Sequence, residues 1–148
     1  MSTKNEYLAH LDKAFRAPVY VRWSDLDELG MVNNAVFVTY LEEGRAHLFL
    51  QKLQWNWTET GVVVANININ YRQPIRYENK PETYIFTKKL GNSSFVLHTI
   101  IAEISQEGDV ILFAEADVTM VAYDLKKKKP TSVPEIAAKE LTAFMLDF

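Results

Sequence analysis

Residues 22–49 read RWSDLDELGMVNNAVFVTYLEEGRAHLF, and a change of period inside this stretch decides the fold. Just before and into it, PVYVRWS (18–24) alternates: Val19, Val21 and Trp23 fall on one side, Tyr20, Arg22 and Ser24 on the other, the period of a strand. DLDELG then reads as a turn. From about Asn34 onward Phe37, Tyr40, Leu41, Gly44 and Leu48 recur at helical spacing, which predicts a helix reaching Leu53. Val36, Val38, Phe49 and Leu50 add apolar groups on its other faces, so the pattern predicts a core helix enclosed on more than one side.

Downstream the period returns to two. After a loop at WNWTETG, the stretch VVVANININYRQPI sets Ile67, Ile69 and Tyr71 against Asn66, Asn68 and Asn70. PETYIFTKKL, SSFVLHTIIAEIS and DVILFAEADVTMVAYDL follow as strands, joined by GN and QEG, connections short enough for antiparallel neighbours. SVPEIAAKELTAFMLDF closes the chain as an amphipathic helix with Pro134 near its first turn and Ile136, Leu141, Phe144 and Met145 available to dock. The expected fold is α+β: an antiparallel sheet wrapped around one long central helix, with a C-terminal helix, in a single domain spanning residues 1–148. Four or five strands cannot cover every face of that helix or hide their own edges, so a homodimer is expected.

Composition narrows the chemistry. With 148 residues, 48% of them hydrophobic, the chain suits one domain with a sizeable core. A formal charge of −3 speaks against a nucleic-acid-binding surface. There is no cysteine, which excludes disulfides, thiolate metal sites and a cysteine nucleophile. The first residues, MSTKNEYLAHLDKAF, lack a signal-like apolar core, and no stretch approaches the roughly 18 apolar residues of a membrane span; a cytoplasmic protein is expected. GxSxG, GxxxxGK, GxGxxG and HExxH motifs are all missing. Ser93, in GNSSF, sits in an expected hairpin turn. His10, His47 and His98 are scattered without ligand spacing, so no metal site is expected. Lys126 to Lys129 read as a solvated connection, with a site for an anionic ligand as the functional alternative.

What remains is the cluster before the helix. Asp25 and Asp27 are ordinary turn residues, Gly30 allows positive φ, and Asn33 or Asn34 can cap the helix. A turn and a cap need fewer polar residues than this. A carboxylate delivered beside a helix N-terminus, whose free N–H groups and dipole suit a developing oxyanion, makes a site for acyl transfer to water without serine, cysteine, histidine or metal.

The same residues resemble a known family. VRWSDLDELGMVNNAVFVTYLEEGR is similar to the active-site segment of hotdog-fold acyl-CoA thioesterases of the 4-hydroxybenzoyl-CoA thioesterase type, which often read D-x-D-x-x-G-H-V-N-N. NINYRQPIRYENK resembles their second block, Y-x-x-P-I-x-x-G-D. The element order is similar to theirs over about residues 15 to 125. The resemblance implies hydrolysis of an acyl thioester to free acid and CoA, with no cofactor and CoA as part of the substrate. It places Asp27 at the catalytic carboxylate, as nucleophile or general base, and Gly30 at the tight turn. The Asn34 backbone N–H falls where the thioester carbonyl is bound, with Asn33 beside it. Asp25, Glu42 and Arg45 fall in supporting positions, Glu42 and Arg45 as an ion pair, while Glu42 and Glu43 are reserve catalytic groups because another branch of the fold uses a helix glutamate. Arg72, Arg76, Lys88 and Lys89 are the expected contacts to CoA phosphates. Met31 stands where the motif commonly has histidine, and Asn79-Lys80 replaces Gly-Asp. The family often pairs dimers into tetramers. The alternative from another class is a non-catalytic acyl-CoA-binding module or sensor of the same fold; a hydratase or dehydratase would ordinarily want a histidine beside its acid, and this stretch has none.

Overall fold

In the computed structural model the described residues are 3–147. In chain order they form α1 (Thr3–Leu8), β1 (Phe15–Pro18), α2 (Asn34–Leu48), β2 (Thr60–Tyr71), β3 (Glu82–Leu90), β4 (Ser94–Ile104), β5 (Val110–Asp124), β6 (Lys129–Pro130) and α3 (Glu135–Ala143). α2 runs on into a π-helical turn, Phe49–Leu53, which ends where Gln54 takes the left-handed conformation at φ 48°. One antiparallel sheet is ordered β1-β3-β4-β5-β2, with the short β6 on β5. β3, β4 and β5 are successive hairpin neighbours, as the GN and QEG connections imply, whereas β2 crosses to the far side and pairs with β5.

Alternation along the strands produces two cores. Phe95, Leu97 and Ile101 of β4 join Ile85 of β3 and Ala116 and Val118 of β5 against Phe37, Tyr40, Leu41 and Leu48 of α2. Their alternate neighbours, Ile100 and Ala102 with Tyr84 and Phe86, form a smaller cluster on the outer face of the sheet, closed by Tyr7 and Leu11. Each such large side chain fully withdrawn from water contributes about 1.5–3 kcal/mol, which fixes the strand register: a slip of one residue would exchange the two faces.

Three expectations need correction. The strand expected over 18–24 lies earlier, at Phe15–Pro18, paired from Phe15↔Ile85 to Pro18↔Glu82. Past Pro18 the partner strand runs out, β3 beginning at Glu82 and the Val19 N–H reaching the Pro81 carbonyl at 3.1 Å, and the Arg22 N–H and guanidinium then bind the Asp25 carboxylate and close a 3₁₀ turn at Trp23–Asp25. Val19 is buried as the alternation requires, but Trp23 is exposed. The central helix, second, is covered on one side: Phe37, Tyr40, Leu41, Gly44, Arg45 and Leu48 are buried, while Ala35, Thr39, Glu42, Glu43 and Ala46 face outward. One sheet supplies only one layer. Third, α3 docks through Ala137 and Leu141, four apart on one face, with Phe144 half-buried; Ile136 and Met145 fall off that face and are exposed. The N-terminal α1 and the two-residue β6 were not foreseen from the sequence.

The closest approach of helix and sheet is at Gly44. A Cβ there would lie 2.6 Å from Oγ1 of Thr83, a fully buried side chain that also donates to the Ala17 carbonyl at 3.2 Å. Gly44→Ala is therefore expected to destabilise the protein by about 1–3 kcal/mol despite the better helix propensity of alanine. Combining it with Thr83→Ala should recover part of that loss in a double-mutant cycle of denaturant unfolding; simple additivity of the two changes would contradict the contact.

Candidate active site

The turn between β1 and α2 is built around two aspartates with opposite surroundings. Asp25 is buried and receives four donors: the Arg22 N–H at 2.9 Å, Arg22 Nε at 3.1 Å, Arg22 Nη2 at 3.0 Å and the Tyr40 hydroxyl at 2.7 Å. Its carbonyl also accepts from the Asn33 N–H at 2.9 Å, so one residue ties the turn to both the entrance and the interior of α2. Burial by itself would raise the Asp25 carboxyl, but the Arg22 N–H, the Tyr40 hydroxyl and the Arg22 guanidinium together hold it below the usual carboxylate range. Burial, and the carboxylate it faces, push the Tyr40 phenol well above its ordinary range. Sequence reading assigned Asp25 a supporting place, and its geometry is that of a latch; the Tyr40 hydroxyl was missed, because in the helical pattern Tyr40 counted only as an apolar residue.

Asp27 is exposed. Its Oδ1 accepts from the N–H groups of Leu29 (2.9 Å) and Met31 (3.1 Å), while its backbone N–H donates to the Met31 carbonyl at 2.7 Å and its own carbonyl accepts from the Gly30 N–H at 3.1 Å. Gly30 closes this small loop at φ 77°, a conformation that favours glycine. The result is a carboxylate with one oxygen pinned by backbone donors and Oδ2 without a hydrogen bond among the described residues.

Helix α2 starts a few residues later. The Asn33 side chain caps it by accepting from the Ala35 N–H at 2.9 Å, and the Asn33 carbonyl accepts from Val36. Among the described residues the Asn34 N–H has no acceptor, as the first turn of a helix allows. The two blocks that carried the family resemblance meet here. Val32 donates to the Ile75 carbonyl at 2.8 Å, Met31 bridges to Arg76, and the Tyr71 hydroxyl donates to the Asn34 carbonyl at 3.1 Å. Asp27, Met31, Asn34, Phe37, Tyr71 and Arg72 line one cleft of about 290 Å³. The anchoring role of Tyr71 escaped the sequence reading, which placed it only with Ile67 and Ile69 in the alternation of a strand.

The expected cations separate into two groups. Arg72 borders this cleft and is held by Glu115 at 3.1 Å; Arg76, with Gly30, lines an adjoining cleft that Asp27 shares. Lys88 and Lys89 border a different cleft with Asn66, Asn68 and Thr119, where Lys88 pairs with Asp117 at 2.6 Å, and they are not brought together with Asp27. Glu42 and Arg45 are paired loosely, at 3.9 Å, further along α2 and away from the Asp27 cleft; Glu43 is exposed. Asn79, one of the departures from the usual motif, accepts from the Arg76 N–H at 2.8 Å and so serves its turn. His98, buried on β4, bonds Asp117 through Nδ1 at 2.7 Å under the stacked ring of Tyr7. Among the described residues no group of three potential metal ligands gathers, and no helix is long and apolar enough to cross a membrane.

A curled sheet holding one long helix, with a carboxylate-bearing loop at the helix N-terminus, defines a hotdog-fold domain of the thioesterase kind. Residues 21–141 match the thioesterase-like superfamily, and the chain belongs to that family of enzymes. Long-chain acyl-CoA thioesterase FadM of Escherichia coli (strain K12) is 33% identical over 114 residues, covering 75% of this chain and 84% of that protein. Acyl-CoA thioester hydrolase YbgC of Escherichia coli O6:H1 is 28% identical over 131 residues, 85% of this chain and 94% of that one. A thioesterase from Thermus thermophilus, crystallised with coenzyme A and Zn, is 30% identical with a TM-score of 0.69, covering 85% of this chain and 95% of its own.

The Asp25 latch has a pH signature. Because its carboxyl is held below the ordinary value of 3.8, the stability it contributes is complete above that value and is lost as pH falls through the lower native value. Asp25→Asn should cost about 1–3 kcal/mol at neutral pH and flatten the acid limb of the melting temperature against pH. Parallel acid limbs for variant and wild type would refute the latch.

Proposed function

We propose that this protein is an acyl-CoA thioesterase that hydrolyses an acyl thioester to free acid and CoA, with Asp27 delivering the attacking oxygen. The observation that carries the reading is the pairing, in one cleft, of a carboxylate with a free oxygen and an unpaired N–H at the start of a fifteen-residue helix. The thioester carbon would sit between them. Asp27 takes the proton from a water whose oxygen attacks that carbon, or attacks directly and is then released by water; in both cases the C–S bond breaks and the CoA sulfur leaves as thiolate to be protonated. Negative charge passing to the carbonyl oxygen is met by the Asn34 N–H and the positive end of the α2 dipole. Pinning Oδ1 to Leu29 and Met31 fixes the direction of Oδ2 before substrate arrives, which is orientation the reaction would otherwise have to supply.

Arg76 and Arg72, both beside the Asp27 cleft, are the cations best placed for CoA phosphates, while Lys88, Lys89 and Lys126 to Lys129 lie outside it. The acyl chain has the α2–β2 seam available to it. A second copy completes the molecule in this reading. β2 ends the sheet with its outer edge unpaired among the described residues, and Leu50, Trp57, Val63 and Val64 stand exposed near it. Two chains joined there would cover both the strand edge and the bare side of α2.

Asp27→Asn keeps size and the Oδ1 acceptor but removes charge and basicity. It should lower kcat on acyl-CoA by two or more orders of magnitude with KM changed far less and the melting temperature near wild type. A folded variant within a few-fold of wild-type kcat would move the role to Glu42 or Glu43, or the protein to the binding modules. For the assembly, ultracentrifugation at micromolar concentration should give a dimer or tetramer, and Val63→Lys, which places a charge on the exposed edge strand, should weaken it. A fully active monomer would overturn that part.

A further inference from the structure

The seam between α2 and β2 holds a second cleft. The strand runs opposite to the helix, so Tyr71 meets Asn34 at one end while Val62 and Val64 face the helix around Arg45 and Phe49 at the other. This second cleft, about 330 Å³, has apolar walls that include Phe49, Leu50, Trp57, Val64 and Met120. Arg45 is out of character with them. Its side chain is only 8% exposed, and its one charged contact among the described residues is Glu42 Oε2, 3.9 Å away on a side chain 73% exposed. Nη1 is buried without a hydrogen-bond partner. Burial pushes the guanidinium pKa down, the mark of a cation short of compensation.

A withdrawn guanidinium without acceptors is unfavourable, and its planar donor fork fits an oxygen acceptor better than any other partner. Glu42 does not fill that need. It lies at the limit of ion-pair distance, is mostly solvated, and can turn out to water when another acceptor arrives. Arg45 lies roughly 16 Å along α2 from Asn34, a span that an extended chain of about ten to twelve carbons covers once a terminal oxygen and its hydrogen bond to the guanidinium are added. Building on the acyl-CoA reading above, we propose that this cleft receives the far end of the acyl group and that Arg45 selects chains carrying an oxygen acceptor there, a hydroxyl or a carboxylate, over plain alkyl chains.

Free acids test this without requiring turnover. Decanoic, ω-hydroxydecanoic and decanedioic acids are titrated into the wild-type protein and into Arg45→Met by calorimetry, with oligomeric state followed in parallel. At least one of the oxygenated acids should bind about tenfold more tightly than decanoic acid, and Arg45→Met should abolish that advantage while keeping affinity for decanoic acid. Should Arg45→Met not fold, Glu42→Gln serves instead: with the competing carboxylate gone, the preference for decanedioic acid should grow, and an unchanged preference counts against the proposal. Equal binding of the three acids, binding of none, or an advantage that survives Arg45→Met overturns it; survival combined with a weakened dimer would assign the guanidinium to a second copy. Failure of the wild type to hydrolyse any acyl-CoA would instead overturn the activity reading, which the calorimetry does not measure.

Discussion

Everything at the candidate site depends on a buried carboxylate that is fully satisfied. Asp25 takes donors from the backbone and guanidinium of Arg22 and from the Tyr40 hydroxyl, and its carbonyl takes the Asn33 N–H. These contacts to one residue decide two things: the chain turns at Trp23–Asp25, and it is tied there to the start and the interior of α2. Asp27 lies two residues beyond the latch and inherits its position. Asp27 is exposed, which leaves it without packing to hold it; here the buried neighbour and the backbone N–H groups of the Leu29–Met31 loop supply the rigidity that packing cannot.

The sheet solves a related problem incompletely. Its inner face buries one side of α2, with contact tight enough at Gly44 and Thr83 to exclude a methyl group, and its outer face is closed only in part by Tyr7 and Leu11. β2 is left as a long edge strand bearing exposed valines, next to the uncovered helix face. Natural edge strands are commonly shielded by charge, proline or a partner. Neither charge nor proline occurs between Thr60 and Tyr71, which favours the partner.

Much of this was legible beforehand. Helical spacing from Asn34, the alternation of Asn66, Asn68 and Asn70 with Ile67 and Ile69, and the glycine-bearing connections located α2 and the four long strands, because each of those signals is local. The position of β1 was not legible. Residues 19–22 carry the same alternation as a paired strand, and what leaves them outside the sheet is a partner strand that begins only at Glu82. The Asp27 loop could be anticipated from Gly30 and the capping asparagines, whereas Tyr40 and Tyr71 could not: nothing in an aromatic residue's spacing tells where its hydroxyl will bond. Nor does sequence distance show which cations share a surface, and Arg72 and Arg76 part from Lys88 and Lys89 only once the sheet is folded.

The antiparallel course of β2 along α2 has a bearing on how such a protein can change. Its two clefts lie at opposite ends of a single rigid helix, more than a dozen ångströms apart at about 1.5 Å of rise per residue, and share no lining residue. Substitutions separated by that distance generally act independently. Residues around Arg45 and Trp57 can therefore be exchanged without disturbing Asp27 and Asn34, so that one end of the groove is free to drift in sequence while the other is held constant.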